Sequence, residues 1–276
     1  MIQDIYPSKL NNAFLNASPE EDDPVLIFDA DGKLFVADDP NGIRFTSLSD
    51  VGDVNAVYLF SVDDTKYFMA AGECGFDRPG FSPRSIRDLR DSFGGSGLYA
   101  AFTAYHLWKW YNDNRFCGTC AGELTPDSKE RALRCSKCGR LIYPRINPAV
   151  IVGVINGDKI LITRYRTGYK HNALIAGFTE IGETLEETVA REVMEEAGIK
   201  IKNIRYYKSQ PWGMAQDILV GFFCEADGDT TIHMDDNELK FAQWVKREDV
   251  VLQPNNLSLT NEMMMMFKEN RLEQYI

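Results

Sequence analysis

The chain has 276 residues, 44% hydrophobic and 26% charged, ordinary proportions for a soluble globular protein and enough length for two domains that each bury a core. Its formal net charge of −11 argues against a general binder of nucleic acid or membrane surfaces, because phosphate affinity is carried by Lys and Arg. An anionic substrate would then need cations to offset the local field.

The start, MIQDIYPSKLNNAF, lacks the charged-then-apolar plan of a signal peptide, and no apolar run approaches a membrane span. Six cysteines without a secretory signal suggest a reducing, cytoplasmic setting in which thiols are free or bound to metal, with no membrane partner. In chain order, VLIFDADGKLFVA (25–37) reads as two apolar segments around an Asp31-Gly32 hairpin turn. AVYLFSV (56–62) and KYFMAA (66–71) read as strands, and 85–92 as a short helix. After Gly94-Gly95-Ser96-Gly97, read as flexible, LYAAFTAYHLWKWYND (98–113) predicts a helix with aromatic residues on its apolar face. This first region shows no catalytic cluster and reads as a scaffold or dimerisation domain.

Cysteine dominates the next stretch. Cys117-x2-Cys120 and Cys135-x2-Cys138 are fourteen residues apart, so that four thiolates can converge on one tetrahedral zinc. A short ribbon of this kind has too little core to fold without its metal. A filled four-cysteine site has no open position, so its role is structural. Cys74 and Cys224 lie in strand-like or loop text and read as buried spectator thiols.

PAVIVGVI (148–155), then Asn156-Gly157-Asp158, then KILITRY predicts a hairpin of buried strands. Gly177 to Ile199, GFTEIGETLEETVAREVMEEAGI, follows as a loop and a helix. Thr184 and Glu187 match a capping box, and Val189, Ala190, Val193, Met194 and Ala197 make an apolar stripe facing a sheet. Glu192, Glu195 and Glu196, at i, i+3 and i+4, project beside that stripe. Like charges held together call for a hard cation between them. Arg191 can pair with Glu187 or Glu195, or hold the loop through Glu183. KIKNIRYYKSQ, DILVGFFCEA and LKFAQWV read as strands, with a closing helix from about Thr260. Interleaved strands and helices around a metal module indicate α+β or mixed α/β.

The spacing G-x5-E-x7-R-E-hydrophobic-x-E-E-x-G-hydrophobic resembles the Nudix box, whose family cleaves nucleoside diphosphates linked to another moiety with divalent metals. A four-cysteine ribbon directly before PRINPAVIVGV, then the box, then SQPW (209–212), resembles the NADH pyrophosphatase family, also described as NAD-capped RNA hydrolases. The resemblance runs from the helix ending in Trp108-Lys109-Trp110 to the last helix. It implies an α+β chain in three parts: a degenerate Nudix-like and dimerisation domain over 1–113, a zinc ribbon over 114–143, and a catalytic Nudix α/β/α sandwich over 144–276. It implies hydrolysis of the dinucleotide NADH or NAD to nicotinamide mononucleotide and AMP, action on NAD-capped RNA, a homodimer, one structural Zn2+ per chain, and two or more catalytic Mg2+ or Mn2+.

Residue by residue, the resemblance makes Glu192, Glu196, Glu238 and the Ala176 carbonyl ligands of the catalytic metal, and Cys117, Cys120, Cys135 and Cys138 those of zinc. Glu195 remains with two roles open, contact with a water on the metal or general base. Phe178 matches a ring that stacks on the nucleotide, and Tyr143 a dinucleotide contact from across the dimer, against a core reading for both. Gln210, Pro211, Trp212 and Thr260 match substrate contacts, and Arg87 a loosely aligned phosphate contact. The family's SQPWPFPxS becomes SQPWGMAQD here, so that Gly213 frees a loop that two prolines would restrict, and Asp217 brings negative charge near an anionic ligand. Two other readings stand beside this one: a Nudix hydrolase of another substrate such as ADP-ribose, and a non-enzymatic zinc-ribbon protein that binds nucleotide or RNA.

Overall fold

A computed structural model of the protein describes residues 1–40, 42–72, 75–167 and 170–272, so Cys74 lies outside the described residues. The chain divides into two compact units, one of Ile2–Arg145 with Gly213–Gln216, the other of Met1, Ile146–Trp212 and Asp217–Ile276.

The first unit begins with β1 (Leu10–Asn11), β2 (Val25–Leu26), β3 (Leu34–Asp39), β4 (Gly42–Phe45), the short α1 (Leu48–Val51), β5 (Ala56–Val62), β6 (Thr65–Ala70) and β7 (Ser82–Arg84). These strands form two sheets, ordered β1-β5-β6-β2 and β4-β3-β7. The hairpin expected at Asp31-Gly32 forms and is short: an antiparallel Phe28–Leu34 bridge spans it, with the Asp29 N–H donating to the Lys33 carbonyl at 2.9 Å and the Phe35 N–H to the Ile27 carbonyl at 3.0 Å, while β2 pairs parallel with β6 and β3 pairs with β4 and β7. Gly32 has φ +79 and a Cβ there would come within 2.7 Å of the Trp108 ring, so the turn needs glycine twice over. α2 (Ile86–Ser92) carries a Ser85–Asp88 capping box. α3 (Gly95–Asp113) starts inside the glycine run that reads as flexible in the sequence; Gly95 at φ +71 opens its first turn.

The ribbon follows as β8 (Leu124–Pro126), β9 (Leu133–Cys135) and β10 (Leu141–Ile142) in one antiparallel sheet. Both CxxC knuckles close in the same way. The N–H four residues after the first cysteine donates to that cysteine's carbonyl, Ala121 to Cys117 at 2.8 Å and Gly139 to Cys135 at 3.0 Å. Trp110, Leu124 and Leu133 pack with Cys117 and Cys135 as the ribbon's small core.

The second unit holds β11 (Asn147–Asn156), β12 (Lys159–Tyr165), β13 (Ile175–Phe178), α4 (Leu185–Ala197), β14 (Ile201–Trp212), β15 (Asp217–Ala226), β16 (Leu239–Lys246), a 3₁₀ turn (Arg247–Asp249) and α5 (Leu259–Lys268). Its mixed sheet runs β14-β15-β11-β12-β16, with β13 paired to β11 and β11 parallel to β15. Side chains alternate between two cores, as strand geometry requires. Val150, Val152, Val154 and Val220 meet α4 through Val189, Val193 and Ala197, while Ile151, Ile155 and Phe223 meet α5 through Met263, Met264 and Phe267. This is an α/β/α sandwich. Cys224 is buried in the α4 core, where desolvation pushes its thiol up to about 12, as befits a spectator.

The stripe on α4 differs from the expected one. Val189, Val193 and Ala197 are buried with Thr188 and Glu196, while Ala190 is exposed and Met194 is 42% exposed. At about 100° per residue the buried arc centres between positions 189 and 196, and 190 and 194 fall past its edge. Among the described residues no helix is long and apolar enough to cross a membrane.

Candidate active site and metal centres

The loop between β13 and α4 is organised by one guanidinium. Arg191 Nε donates to Glu183 Oε1 at 2.6 Å and its Nη2 to Glu183 Oε2 at 2.9 Å, a bidentate pair. Nη2 also donates to the Phe178 carbonyl at 2.9 Å, and Nη1 to Glu192 at 2.7 Å and Glu195 at 3.1 Å. Glu187 takes no part; its carboxylate accepts from the Thr184 N–H at 2.7 Å and closes the capping box. Hydrogen bonding from Arg191 holds the Glu183 carboxyl at about 2, and the same contacts raise Arg191 further above its usual range. One cation thus fixes the loop, the first turns of the helix and two box carboxylates.

Glu192 and Glu196 lie one turn apart on the inner side of α4. A Cβ at Gly177 would overlap the Glu192 carboxyl, so the first glycine of the motif is there to let the carboxylate reach β13. Glu196 is 2% exposed and its Oε2 has no hydrogen-bond partner. Burial, then repulsion from Glu192 and Glu238, pushes its carboxyl up to about 8. Burial also raises Glu192, against the pull of Arg191. Glu238, exposed in the turn just before β16, is close enough to act on both. Glu195 is 60% exposed in its side chain, at the solvent edge of the group.

Tyr165 is a member of this site that the sequence reading missed. The register between β12 and β16 shifts at Arg164/Tyr165, and the Tyr165 hydroxyl lies 3.4 Å from both the Ala176 carbonyl and Glu196 Oε1. Its only sequence signal is its place as the last residue of a strand. Burial raises this hydroxyl further above its usual range, so it stays protonated and donates.

These oxygens fit a hard divalent cation. A buried, unpartnered carboxylate oxygen beside a backbone carbonyl, with a second carboxylate one helical turn away and a third near enough to act on both by charge, is an oxygen-only donor set, the kind Mg2+ or Mn2+ takes. The four cysteines fit zinc by distance: their sulfurs all lie within 4.8 Å of one another, with Cys117–Cys138 at 3.8 Å and Cys120–Cys135 at 3.5 Å. Their protons show the strain of sharing that space. Backbone N–H groups of Thr119 and Cys120 lower the Cys117 thiol to about 6; the Gly122 N–H lowers Cys120 too, but the thiols of Cys138 and Cys135 outweigh it and push Cys120 to about 12. Four thiolates gather there only around a cation.

The expected substrate contacts separate. Phe178 is 53% exposed at the end of β13, Pro211 and Trp212 are half-buried at the end of β14, and Thr260 is half-buried in the first turn of α5. Gln210 is fully buried and its amide clamps the chain before α5: Nε2 donates to the Leu257 carbonyl at 2.8 Å and Oε1 accepts from the Leu259 N–H at 2.7 Å. Its contacts position the segment carrying Thr260. Tyr143 belongs to the first unit, 54% exposed, donating to Glu130 at 3.1 Å, and Arg87 is exposed on α2 of that unit.

Gly213 is also different from its sequence reading. The Gly213–Gln216 turn belongs to the first unit, and a Cβ at Gly213 would overlap the carbonyl oxygen of Phe102 on α3. Gln216, buried, accepts from Arg145 Nη2 at 2.7 Å, and the Arg145 carbonyl is 2.9 Å from His106 Nε2. The glycine serves close packing on a helix, where the sequence suggests loop freedom.

An α/β/α sandwich whose catalytic-type loop and helix present buried carboxylates around Arg191 defines a Nudix-fold protein. Residues 145–265 match the NUDIX domain and residues 112–143 the NADH pyrophosphatase zinc ribbon domain, so the chain carries a Nudix domain joined to an NADH pyrophosphatase zinc ribbon. It is 45% identical over 152 residues to the NAD-capped RNA hydrolase NudC of Escherichia coli O9:H4 (strain HS), and equally to that of Escherichia fergusonii. Each match takes in 54% of this chain and 58% of the relative, so a little over half of those relatives' length is spanned. Among solved structures, a NUDIX hydrolase from Nitrosomonas europaea is similar in fold, with TM-score 0.51 and 20% identity over 58% of this chain and 93% of its own.

Proposed function

We propose that this protein is a metal-dependent diphosphatase that cleaves the pyrophosphate of NADH or NAD to nicotinamide mononucleotide and AMP, and removes 5′-NAD caps from RNA by cutting the same bond. The observation that carries the reading is the Arg191-organised carboxylate set, with its unpartnered Glu196 oxygen beside the Ala176 carbonyl, in a chain that also has the NADH pyrophosphatase ribbon.

Glu192, Glu196, Glu238 and the Ala176 carbonyl would hold Mg2+ or Mn2+, which supplies charge neutralisation for the pyrophosphate and lowers the pKa of water. Arg191 keeps Glu192 and Glu195 in place and leaves none of its own charge free for substrate. Tyr165 donates toward Glu196 and the Ala176 carbonyl and orients both. Glu195, being the exposed member, is positioned to take a proton from the attacking water, whereas Glu192 and Glu196 are buried behind it. Phe178 and Trp212 present flat rings suited to base faces, and Thr260 a hydroxyl set in place by Gln210. We assign residues 1–113 to a Nudix-like dimerisation domain, 114–143 to the ribbon and 144–276 to the catalytic domain. The working form is a cytoplasmic homodimer in which Tyr143 reaches the partner's dinucleotide.

The test is product analysis with NADH, NAD, ADP-ribose and diadenosine diphosphate in the presence of Mn2+. Release of AMP and nicotinamide mononucleotide from NADH or NAD is expected, with a loss of about 100-fold or more in kcat for Glu192→Gln at unchanged thermal midpoint. ADP-ribose as the best substrate by a wide margin would overturn the substrate assignment. Near-normal turnover by Glu192→Gln would overturn the metal assignment, and no hydrolysis of any of them, with retained nucleotide binding, would leave a binding protein.

A further inference from the structure

Asp217 opens β15 and is 6% exposed. Its side chain is hydrogen-bonded by Asn147, but its Oδ1 is buried with no partner among the described residues. Such an orphan is costly, because the carboxyl has given up water for nothing. The strand register shows what it faces. Trp212 of β14 pairs with Asp217, and Asp217 pairs with Asn147 of β11, so the three stand in a row across the end of the sheet. Alternation places Asp217 on the α5 side with Leu219, and Asn147 on that side with Ala149 and Ile151. Phe178 lies on the next strand, paired with Ala149. An unpartnered acceptor is therefore set between two strands whose ends carry exposed or half-exposed rings.

A carboxylate in that place selects by charge. The phosphates of a dinucleotide are anionic and repel a carboxylate; the amine of adenine can donate to it but brings no charge. The oxidised nicotinamide ring carries a formal positive charge and a carboxamide N–H, and the dihydronicotinamide ring keeps the amide but loses the charge. We infer that Asp217 is a specificity-determining residue that favours the oxidised, cationic nicotinamide over its reduced form, an assignment that rests on the hydrolase reading above. Burial raises the Asp217 carboxyl to about 7, so an arriving cation draws it into the ionised form it needs. The preference extends to NAD-capped RNA, whose terminal ring is in the oxidised state.

The measurement is the ratio of kcat/KM for NAD to that for NADH, at saturating Mn2+, in the unaltered protein and in Asp217→Asn and Asp217→Ser. Because both substrates see the same preparation, the ratio cancels any loss of folded protein. It is expected to fall by about tenfold in both variants, the scale of one charge-assisted contact. In the unaltered protein, nicotinamide mononucleotide is expected to inhibit about tenfold more tightly than its reduced form. A ratio that Asp217→Asn leaves unmoved, or equal inhibition by the two mononucleotides, overturns this inference while the hydrolase reading stands. Failure of the unaltered protein to cleave either dinucleotide overturns both.

Discussion

Asp217 also sets a condition on stability. Its folded carboxyl titrates near 7, pushed up by burial, against an ordinary value of 3.8. Well below 3.8 both the folded and unfolded chains carry the proton and this residue contributes no pH dependence. Between the two values the unfolded chain has released its proton and the folded chain still holds it, so stability falls as pH rises, by at most about 1.4 kcal/mol per unit. Above 7 the penalty is complete. Asp217→Asn removes the titration, and the thermal midpoint of that variant is expected to gain on the parent steadily from pH 5 to pH 7, then level off. A constant offset across that range would mean that the buried carboxyl does not titrate there. A residue that weakens the fold at neutral pH and has an unpartnered oxygen is better explained by a ligand than by packing.

At the scale of elements, what could be read locally was read correctly. The α4 start follows from Thr184 and Glu187, and its stop from Gly198 in the left-handed region at φ 68. The spacing of Gly177, Arg191 and the glutamates likewise foretold a loop and a helix with carboxylates on one side, and the two CxxC pairs the sulfur cluster. What escaped depends on partners far along the chain. The Asp31-Gly32 hairpin is legible locally, but not that its first strand, β2, also pairs parallel with β6. Ala190 and Met194 read as core because the exact centre of a helical stripe is set by the sheet it meets. Gly213 and Gln210 look like a free loop and a ligand contact; only Phe102, Leu257 and Leu259 show them to be a close-packing glycine and a backbone clamp. Tyr165 depends on a register shift that no local pattern encodes. The β13–α4 contact itself can be tested at Gly177, where an added methyl overlaps the Glu192 carboxyl. Gly177→Ala is expected to displace that carboxylate, lowering kcat by about 100-fold and stability by about 1–3 kcal/mol, the range for overpacking. Activity within about twofold of the parent, at unchanged unfolding midpoint, would show that β13 and α4 do not make this contact in solution.

The whole molecule imposes an electrostatic term that no single residue reveals. If the substrate is the proposed dinucleotide, a chain of net charge −11 meets a ligand of the same sign, and long-range repulsion slows their encounter. On the proposed function the attraction that overcomes it is short-ranged and would come from divalent cations at Glu192, Glu196 and Glu238. Added salt screens the two unequally: the screening length shrinks from about 30 Å at 0.01 M to about 8 Å at 0.15 M, while contacts inside a partly buried metal site change little. Raising KCl from about 10 to about 150 mM, with Mn2+ fixed at a low concentration, is therefore expected to increase kcat/KM for NADH by about two- to fivefold and to leave kcat nearly constant. A nucleic-acid-type binder that holds phosphates with lysines and arginines behaves in the opposite way, losing affinity steeply and linearly on a logarithmic salt scale. A fall of about tenfold or more over the same range would shift substrate capture from the acidic metal site to a cationic surface. A rise, or no change in kcat beside a rising kcat/KM, places capture at the carboxylates organised by Arg191.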